Sequence, residues 1–272
     1  MNLTSLGVLK AWVKSTTTDD DVLLTRLITQ VSGLTLNELQ RPPLVRTTFT
    51  ELRDGVGNQA LTLRNWPVVA ITSLTIDGVT IPASTSTTSS GYTLTTWDGT
   101  SAGVPQELTL RGYSFCRGQN NIQIVYEAGY CVTDAAYTVK SSTPYVVAFQ
   151  PYLGSWAQDD GVTYANGTAL VATTSSSPAS GYYQVVLGND GNITYTFNAA
   201  DANAAVLISY SYVPAALEQL VLEWIGERYR YKDRIGQSSK SIGGNETAAY
   251  SLKGIPDYIQ QGFDNYKKFL PL

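Results

Sequence analysis

The sequence contains no histidine, 2 cysteines and 1 methionine among its 272 residues. Without imidazole, a Ser-His-Asp or Cys-His nucleophilic site has no base and a histidine-containing zinc site has no ligand. No charge switch near neutral pH is built on histidine either. Charge is scarce: 15% of residues are Asp, Glu, Lys or Arg, and 18 basic against 22 acidic side chains leave a formal net charge of -4. That balance supplies no global positive field to recruit nucleic acid. No run approaches the roughly 20 apolar residues that span a bilayer, and Met1 to Lys14 has no basic start followed by an apolar core. The expectation is a soluble cytosolic product with no membrane contact. Cys116 and Cys131 flank one expected strand, Asn121 to Tyr126, and two cysteines in a reducing compartment do not make a disulfide framework. What is plentiful is Tyr (18), Gly (23), Ser and Thr, the composition of a strand-rich protein whose surface relies on hydroxyls.

Helical spacing opens the chain. Leu6, Leu9, Trp12 and Val13 recur on one face after Thr4-Ser5. A second helix starts after Thr18-Asp19-Asp20-Asp21, where carboxylates suit the unpaired N–H groups, and its expected apolar stripe is Val22, Leu23, Leu27, Ile28, Val31 and Leu34. The three aspartates lack the spacing and the glycine of a calcium loop, so capping is favoured over metal binding.

From Leu44 the period changes to two. A strand to Leu52 runs into the Asp54-Gly55-Val56-Gly57 turn, from which Ala60-Leu61-Thr62-Leu63 returns, and Ile71 to Ile76 ends at the turn signal Asp77-Gly78. Thr133 to Val213 is dense in Gly, Ser, Thr and Tyr, with Lys140 against Asp134, Asp159, Asp160, Asp190 and Asp201. An internal echo links the two β regions. Gly91-Tyr92, Tyr113-Ser114-Phe115 and Ile122-Gln123-Ile124-Val125-Tyr126 recur in order as Gly181-Tyr182, Tyr195-Thr196-Phe197 and Val206-Leu207-Ile208-Ser209-Tyr210. At Pro214 helical spacing returns, with Leu217, Val221 and Trp224 as expected core, Gly236 as its end, and Pro256 opening a last helix bearing Ile259, Phe263, Tyr266 and Phe269.

These readings give an α+β protein: a helical bundle of N- and C-terminal helices with a β-hairpin extension and an inserted β-rich domain. Its expected segments are 1-132, 133-213 and 214-272. No residues are assigned to catalysis, a cofactor or a metal. Asp159-Asp160 reads as a turn before Gly161 rather than half of a glycosidase acid pair. Trp156, Tyr164, Tyr182 and Tyr183 are candidates for an aromatic carbohydrate platform, weighed against ordinary core packing. The densest basic segment, Arg228 to Lys240, carries Tyr229 and Tyr231. Arg228, Arg230, Arg234 and Lys240 are its candidate assembly contacts, since Arg makes paired bonds to carboxylates.

At the long C-terminal helix a pattern emerges. Pro214-x-x-Leu217-Glu218-Gln219-x-Val221, then Glu227-Arg228-Tyr229-Arg230-x-x-Asp233-Arg234-Ile235-Gly236 and Ser239-Lys240-Ser241-Ile242-Gly243-Gly244-x-Glu246-Thr247, resembles the head-tail connector (adaptor or head-completion) proteins of tailed bacteriophages. The resemblance extends to Leu6-x-x-Leu9-Lys10-x-Trp12, Asp20-Asp21-x-Leu23-Leu24, Arg64-x-Trp66-Pro67-Val68, Ile76-Asp77-Gly78 and Val125-Tyr126-x-Ala128-Gly129-Tyr130. It implies a ring of twelve copies in the virion neck, assembled in the host cytoplasm. The ring would bind the portal protein above and stopper or tail proteins below, and DNA would cross its channel without sequence-specific contacts. Simpler members pass almost directly from the Ala128-Gly129-Tyr130 region to the Pro214 helix, so the resemblance does not reach residues 133–213. The alternative is a β-rich carbohydrate- or protein-binding module of a phage tail or neck.

Overall fold

The computed structural model describes residues 1–41, 43–86, 88–96, 106–188, 191–232, 239–242, 246–249 and 254–268. The chain divides into two compact units, one of Met1–Leu39 with Val132–Tyr266 and one of Gln40–Cys131 with Lys267–Leu272. Strand makes up 39% of the chain and helix 24%, which overturns the expected helical bundle with an inserted β domain. Leucine-rich periodic segments are conspicuous in the sequence, but they are short beside the many strands whose partners lie far away along the chain.

Helix α1 (Leu6–Val13) begins where Ser5 Oγ accepts the Val8 N–H at 3.3 Å, and ends at Lys14 in the left-handed region, φ 57°. Helix α2 spans Asp21–Leu39. Its buried face carries Leu24, Ile28, Val31, Thr35 and Leu39, so the expected stripe holds at Ile28 and Val31 and fails at Val22 and Leu34, which are 83% and 43% exposed. Trp12 of α1 is likewise 46% exposed. The helix is apolar on more than one side, and hydropathy alone does not choose which side turns inward. The aspartates before α2 reach across to other elements: the Asp20 carboxylate accepts bonds from Tyr229 and Lys232, and Asp21 pairs with Lys10 at 2.6 Å.

The described residues of the segment Gln40–Cys131 form seven strands: β1 (Thr47–Gly55), β2 (Ala60–Thr62), β3 (Val68–Ile76), β4 (Val79–Thr80), β5 (Gly91–Thr96), β6 (Gln106–Arg111) and β7 (Gly118–Ala128). They form two sheets, ordered β1-β7-β3-β4 and β2-β6-β5. Both sheets supply one core, with Leu74, Ile76, Ile122, Ile124 and Tyr126 from the first and Leu108 and Leu110 from the second. The expected return of Ala60–Leu63 onto the first strand does not occur, since β1 pairs with β7 and β2 with β6. The Asp77-Gly78 turn is formed as expected, both residues at positive φ, joining β3 to β4. Inside, Glu51 accepts bonds from the Tyr126 hydroxyl and the Arg64 N–H, and the Arg41 guanidinium lies 4.1 Å from the Trp66 ring.

The chain then makes seven more strands: β8 (Cys131–Thr138), β9 (Val146–Phe149), β10 (Gly154–Tyr164), β11 (Val171–Ala172), β12 (Tyr182–Leu187), β13 (Ile193–Thr196) and β14 (Ala205–Pro214). Their sheets, β10-β14-β8 and β11-β12-β13-β9, repeat the earlier plan except at the fourth strand, since β11 pairs parallel with β12 whereas β4 pairs antiparallel with β3. The last strand is central and flanked by the first and third. The sixth strand pairs antiparallel with the second and fifth in both sets. Even the register agrees: β3 on β7 and β10 on β14 each carry two bulges, between Val68/Ala70 and Ile71/Ser73 and between Trp156/Gln158 and Asp159/Gly161. Ile122, Ile124 and Tyr126 of β7 thus occupy the places of Val206, Ile208 and Tyr210 of β14, and all six are buried. The echo is therefore a shared strand arrangement, in which residues 133–213 repeat the strand pairing of residues 47–128 except at the fourth strand.

Strand β14 runs without a loop through Pro214 into α3 (Ala215–Tyr231). The chain continues with the antiparallel pair β15 (Ser239–Ile242) and β16 (Glu246–Ala249), and ends in α4 (Asp257–Asp264), which follows Pro256 as expected and buries Ile259 and Phe263. Gly236 and Phe269 lie outside the described residues. Helix α3 packs against α1, α2 and α4. Among the described residues no helix is long and apolar enough to cross a membrane.

Candidate functional site

Helix α3 has two contrasting faces. Leu217, Val221 and Trp224, spaced i, i+4, i+7, are buried at 0%, 0% and 1% exposure, and the Trp224 indole donates a 3.0 Å bond to the Gly254 carbonyl and meets Phe263 edge-on. Glu223, Glu227 and Arg230 repeat the same spacing on another face. There α1, α3 and α4 leave an open groove of about 250 Å³, lined by Trp12, Val13, Glu223, Gly226, Glu227, Arg230 and Tyr258. Gly226 brings the walls together: the Trp12 indole nitrogen lies 3.4 Å from where a Cβ on Gly226 would stand.

The groove is aromatic, acidic and accessible. Trp12 is 46% and Tyr258 52% exposed. Glu223 accepts a 2.9 Å bond from the Gln219 amide one turn back, which orients its carboxylate along the helix. Partial burial pushes the Tyr258 phenol up, and the Glu223 and Glu227 carboxylates push it the same way, so Tyr258 offers a neutral donor at physiological pH. Two carboxylates stand against one guanidinium. With two aromatic groups, this suits recognition of a protein surface and contains no nucleophile paired with a base.

The four candidate basic contacts separate. Arg230 lines the groove and is exposed. Arg228 folds back over the Trp224 ring at 5.0 Å, half-buried, and supports the core. Arg234 and the Lys240 side chain lie outside the described residues. Trp12, Glu223, Glu227 and Tyr258 were not assigned to a site from sequence. The second i, i+4, i+7 series on α3 is a sequence signal for Glu223 and Glu227, whereas Trp12 and Tyr258 join them only through the packing of α1 and α4.

The aromatic platform is corrected. Tyr183 is buried at 2% while Tyr182 is exposed, because consecutive residues of β12 point to opposite sides. Asp159-Asp160 is no turn but the bulged middle of β10, where Asp159 accepts the hydroxyls of Tyr183 and Tyr195 and Asp160 accepts Ser211 at 2.6 Å. Tyr164 donates at 2.6 Å to Asp201. These groups satisfy each other within the protein. Cys116 and Cys131 are not joined in a disulfide, and no grouping of three His, Cys, Asp or Glu disposed to hold a metal occurs among the described residues.

Neither a family model nor a curated protein sequence matches the chain. Fold and site together describe a β-rich protein that uses one strand arrangement twice apart from the fourth strand, and whose helices α1, α3 and α4 line an aromatic, acidic groove.

Proposed function

We propose that this chain is a structural head-to-tail connector of a tailed bacteriophage, an adaptor that forms a ring of twelve beneath the portal. It acts in the virion neck after assembly in the host cytoplasm, joins the portal to stopper or tail proteins, and leaves an open channel for DNA. It carries out no catalytic step. The observation that carries the reading is the groove, where exposed Trp12 and Tyr258 flank Glu223, Glu227 and Arg230. Buried aromatic and Arg anchors dominate the energy of protein interfaces, and an exposed pair of this kind favours a protein partner. The ordered motifs of both flanks, from Leu6-x-x-Leu9 to Ser239-Lys240-Ser241, supply the identity of that partner class. A net charge of -4 suits a wall that lets DNA pass without holding it.

The carbohydrate-binding alternative is less favoured, since two residues of the aromatic platform are engaged internally: Tyr183 is buried and bonds Asp159, and Tyr164 bonds Asp201. The test is to measure the mass of the full chain in solution, alone and mixed with the portal protein of the same phage. A ring that docks on the portal is the expected outcome. A monomer that ignores the portal at every concentration overturns the reading.

A further inference from the structure

Tyr126 of β7 and Tyr210 of β14 hold the same place in the two β sets, but their hydroxyls meet different surroundings. Tyr126 donates to Glu51 and accepts the Asn65 side-chain amide at 3.0 Å, so its phenol is satisfied inside the protein. Tyr210 is buried to 1% exposure, yet its hydroxyl makes no hydrogen bond with any described residue. A buried polar group is ordinarily paired, because leaving it alone forfeits the bonds it made to water. Elsewhere in the second set that rule is met by carboxylates: Tyr183 and Tyr195 bond Asp159, and Tyr164 bonds Asp201.

Around Tyr210 the chain gathers further aromatic groups. The Phe149 ring lies 5.4 Å from that of Tyr210 and stacks on Tyr137 at 4.6 Å, with 16° between the planes. That stack fixes Tyr137, which stays partly exposed, and Tyr152 between β9 and β10 is 79% exposed. The Tyr137 and Tyr152 hydroxyls also bond no described residue. Burial first, then the Tyr137, Tyr152 and Tyr212 phenols, pushes Tyr210 up to about 12, and Tyr137 is pushed up by burial and then by Tyr152. The phenols thus stand near enough to act on one another, and no carboxylate or cation acts on Tyr137 or Tyr210. Tyrosines scattered along the sequence become an uncharged patch of ring faces and unpaired hydroxyls.

We infer that Tyr137, Tyr152 and Tyr210, backed by Phe149, form a binding site for a neutral sugar chain of hexose or N-acetylhexosamine units, one ring lying against Tyr137 and Tyr152 while its hydroxyls bond the three phenols. The site is separate from the α1/α3/α4 groove and from the Trp156, Tyr164, Tyr182 and Tyr183 platform, and it goes beyond the connector reading without altering it. A pyranose has an apolar C–H face and a rim of hydroxyls that both donate and accept. Tyrosine is the side chain that answers both, with a ring face and a hydroxyl of the same double capacity. An anionic sugar or a nucleic acid calls for cations at the site. A proline-rich segment also packs on aromatic rings, but it presents mainly carbonyl acceptors and leaves the acceptor side of three phenols unused. Only two torsions per tyrosine are fixed on binding, and Phe149 already holds Tyr137.

The test titrates the full chain with maltohexaose, cellohexaose and chitohexaose, and with decaproline for comparison, by calorimetry and saturation-transfer NMR. At least one of the sugars is expected to bind. Tyr152→Ala and Tyr210→Phe are each expected to weaken that binding by at least about fivefold, as loss of a ring face or of a neutral hydrogen bond does. Tyr113→Ala, at an exposed tyrosine of the first set, is expected to leave it unchanged. Tyr210→Phe removes an oxygen that bonds no described residue, so its melting temperature is expected to stay at the unaltered value, whereas Tyr126→Phe strips Glu51 and Asn65 of a partner and lowers it. Failure of all three sugars to bind the folded chain, sugar binding that Tyr152→Ala and Tyr210→Phe leave unchanged, or a Tyr210→Phe chain as destabilised as Tyr126→Phe overturns the proposal. Decaproline that binds in place of the sugars, or portal binding lost on Tyr152→Ala, makes the patch a protein contact and overturns it as well.

Discussion

Thr4 Oγ1 donates a 2.8 Å hydrogen bond to Glu218 Oε1, and the second oxygen of the same carboxylate accepts Ser155. One buried acid, 8% exposed, thereby ties the N-terminal segment and β10 to the first turn of α3. Thr4→Val removes a hydrogen bond to a charged acceptor and is expected to cost about 1.5 to 3 kcal/mol. Glu218→Ala orphans two hydroxyls and is expected to cost at least as much. Urea denaturation checks both, and wild-type midpoints would remove the tie from the argument. Replacing residues 133–213 by a linker removes Ser155 and the strand leading into α3, so lost helical circular dichroism is expected there as well.

The two sides of α3 are expected to answer differently to truncation. Leu217→Ala and Trp224→Ala remove fully buried side chains, at about 2 to 5 and about 3 to 5 kcal/mol respectively. Arg228→Ala loses the contact over Trp224, worth about 0.5 to 1 kcal/mol at a partly exposed position. Arg230→Ala is expected to leave thermal unfolding unchanged and to weaken assembly. Equal loss of melting temperature from Arg228→Ala and Arg230→Ala would contradict the division.

Alkaline pH should find the weak point of the second β set. Burial, then the Asp159 carboxylate, holds the Tyr183 and Tyr195 phenols far above the usual tyrosine value. Tyr164 is pushed up to about 12 by burial and by Asp201, and Tyr210 to about 12 chiefly by burial. Each phenol holds its proton more tightly folded than unfolded. Its contribution is complete below the unfolded value of 10.0 and is lost as pH rises through the folded value. In phenolate absorbance, the buried phenols are expected to ionise only as the chain unfolds, above the ordinary value of 10.0. Asp159→Ala leaves two phenols without their acceptor, at about 1 to 3 kcal/mol even at neutral pH. A single smooth titration of a still-folded chain would refute the assignment.

Gly129 carries φ +149°, and a Cβ there would stand 2.4 Å from the Val45 carbonyl carbon. The obstacle is backbone, which has little room to yield, so Gly129→Ala is expected to destabilise the unit Gln40–Cys131 by more than the roughly 1 kcal/mol of a typical substitution. Proteolysis of this segment under native conditions reads that loss directly. An unchanged cleavage rate would show that the strand end relaxes freely.

Much of the local structure could be read from residue order. Ser5 caps α1, Asp77-Gly78 turns β3 into β4, Pro214 and Pro256 precede helices, and Leu217, Val221 and Trp224 share a buried face. The echo of Ile122-x-Ile124-x-Tyr126 in Val206-x-Ile208-x-Tyr210 was visible too, yet the strand pairing around it was not. Alternation marks the buried side of a strand and says nothing of which strand lies beside it. The candidate site was less legible. Arg230 could be singled out by charge, whereas Trp12 resembled Leu9 as a core residue, and only the approach of α1 to Gly226 leaves its indole at the surface.

By itself the sequence determined what neighbouring residues settle among themselves: turns, caps, helix starts and the absence of imidazole chemistry. The tertiary structure alone decided which apolar side of α2 is covered, that β1 joins β7 rather than β2, and that Asp159 is an internal acceptor instead of a turn residue. The physical reason is range. Backbone sterics and N–H satisfaction act within a few residues, but burial is a competition among all apolar surfaces at once, and its outcome depends on partners distant in the chain.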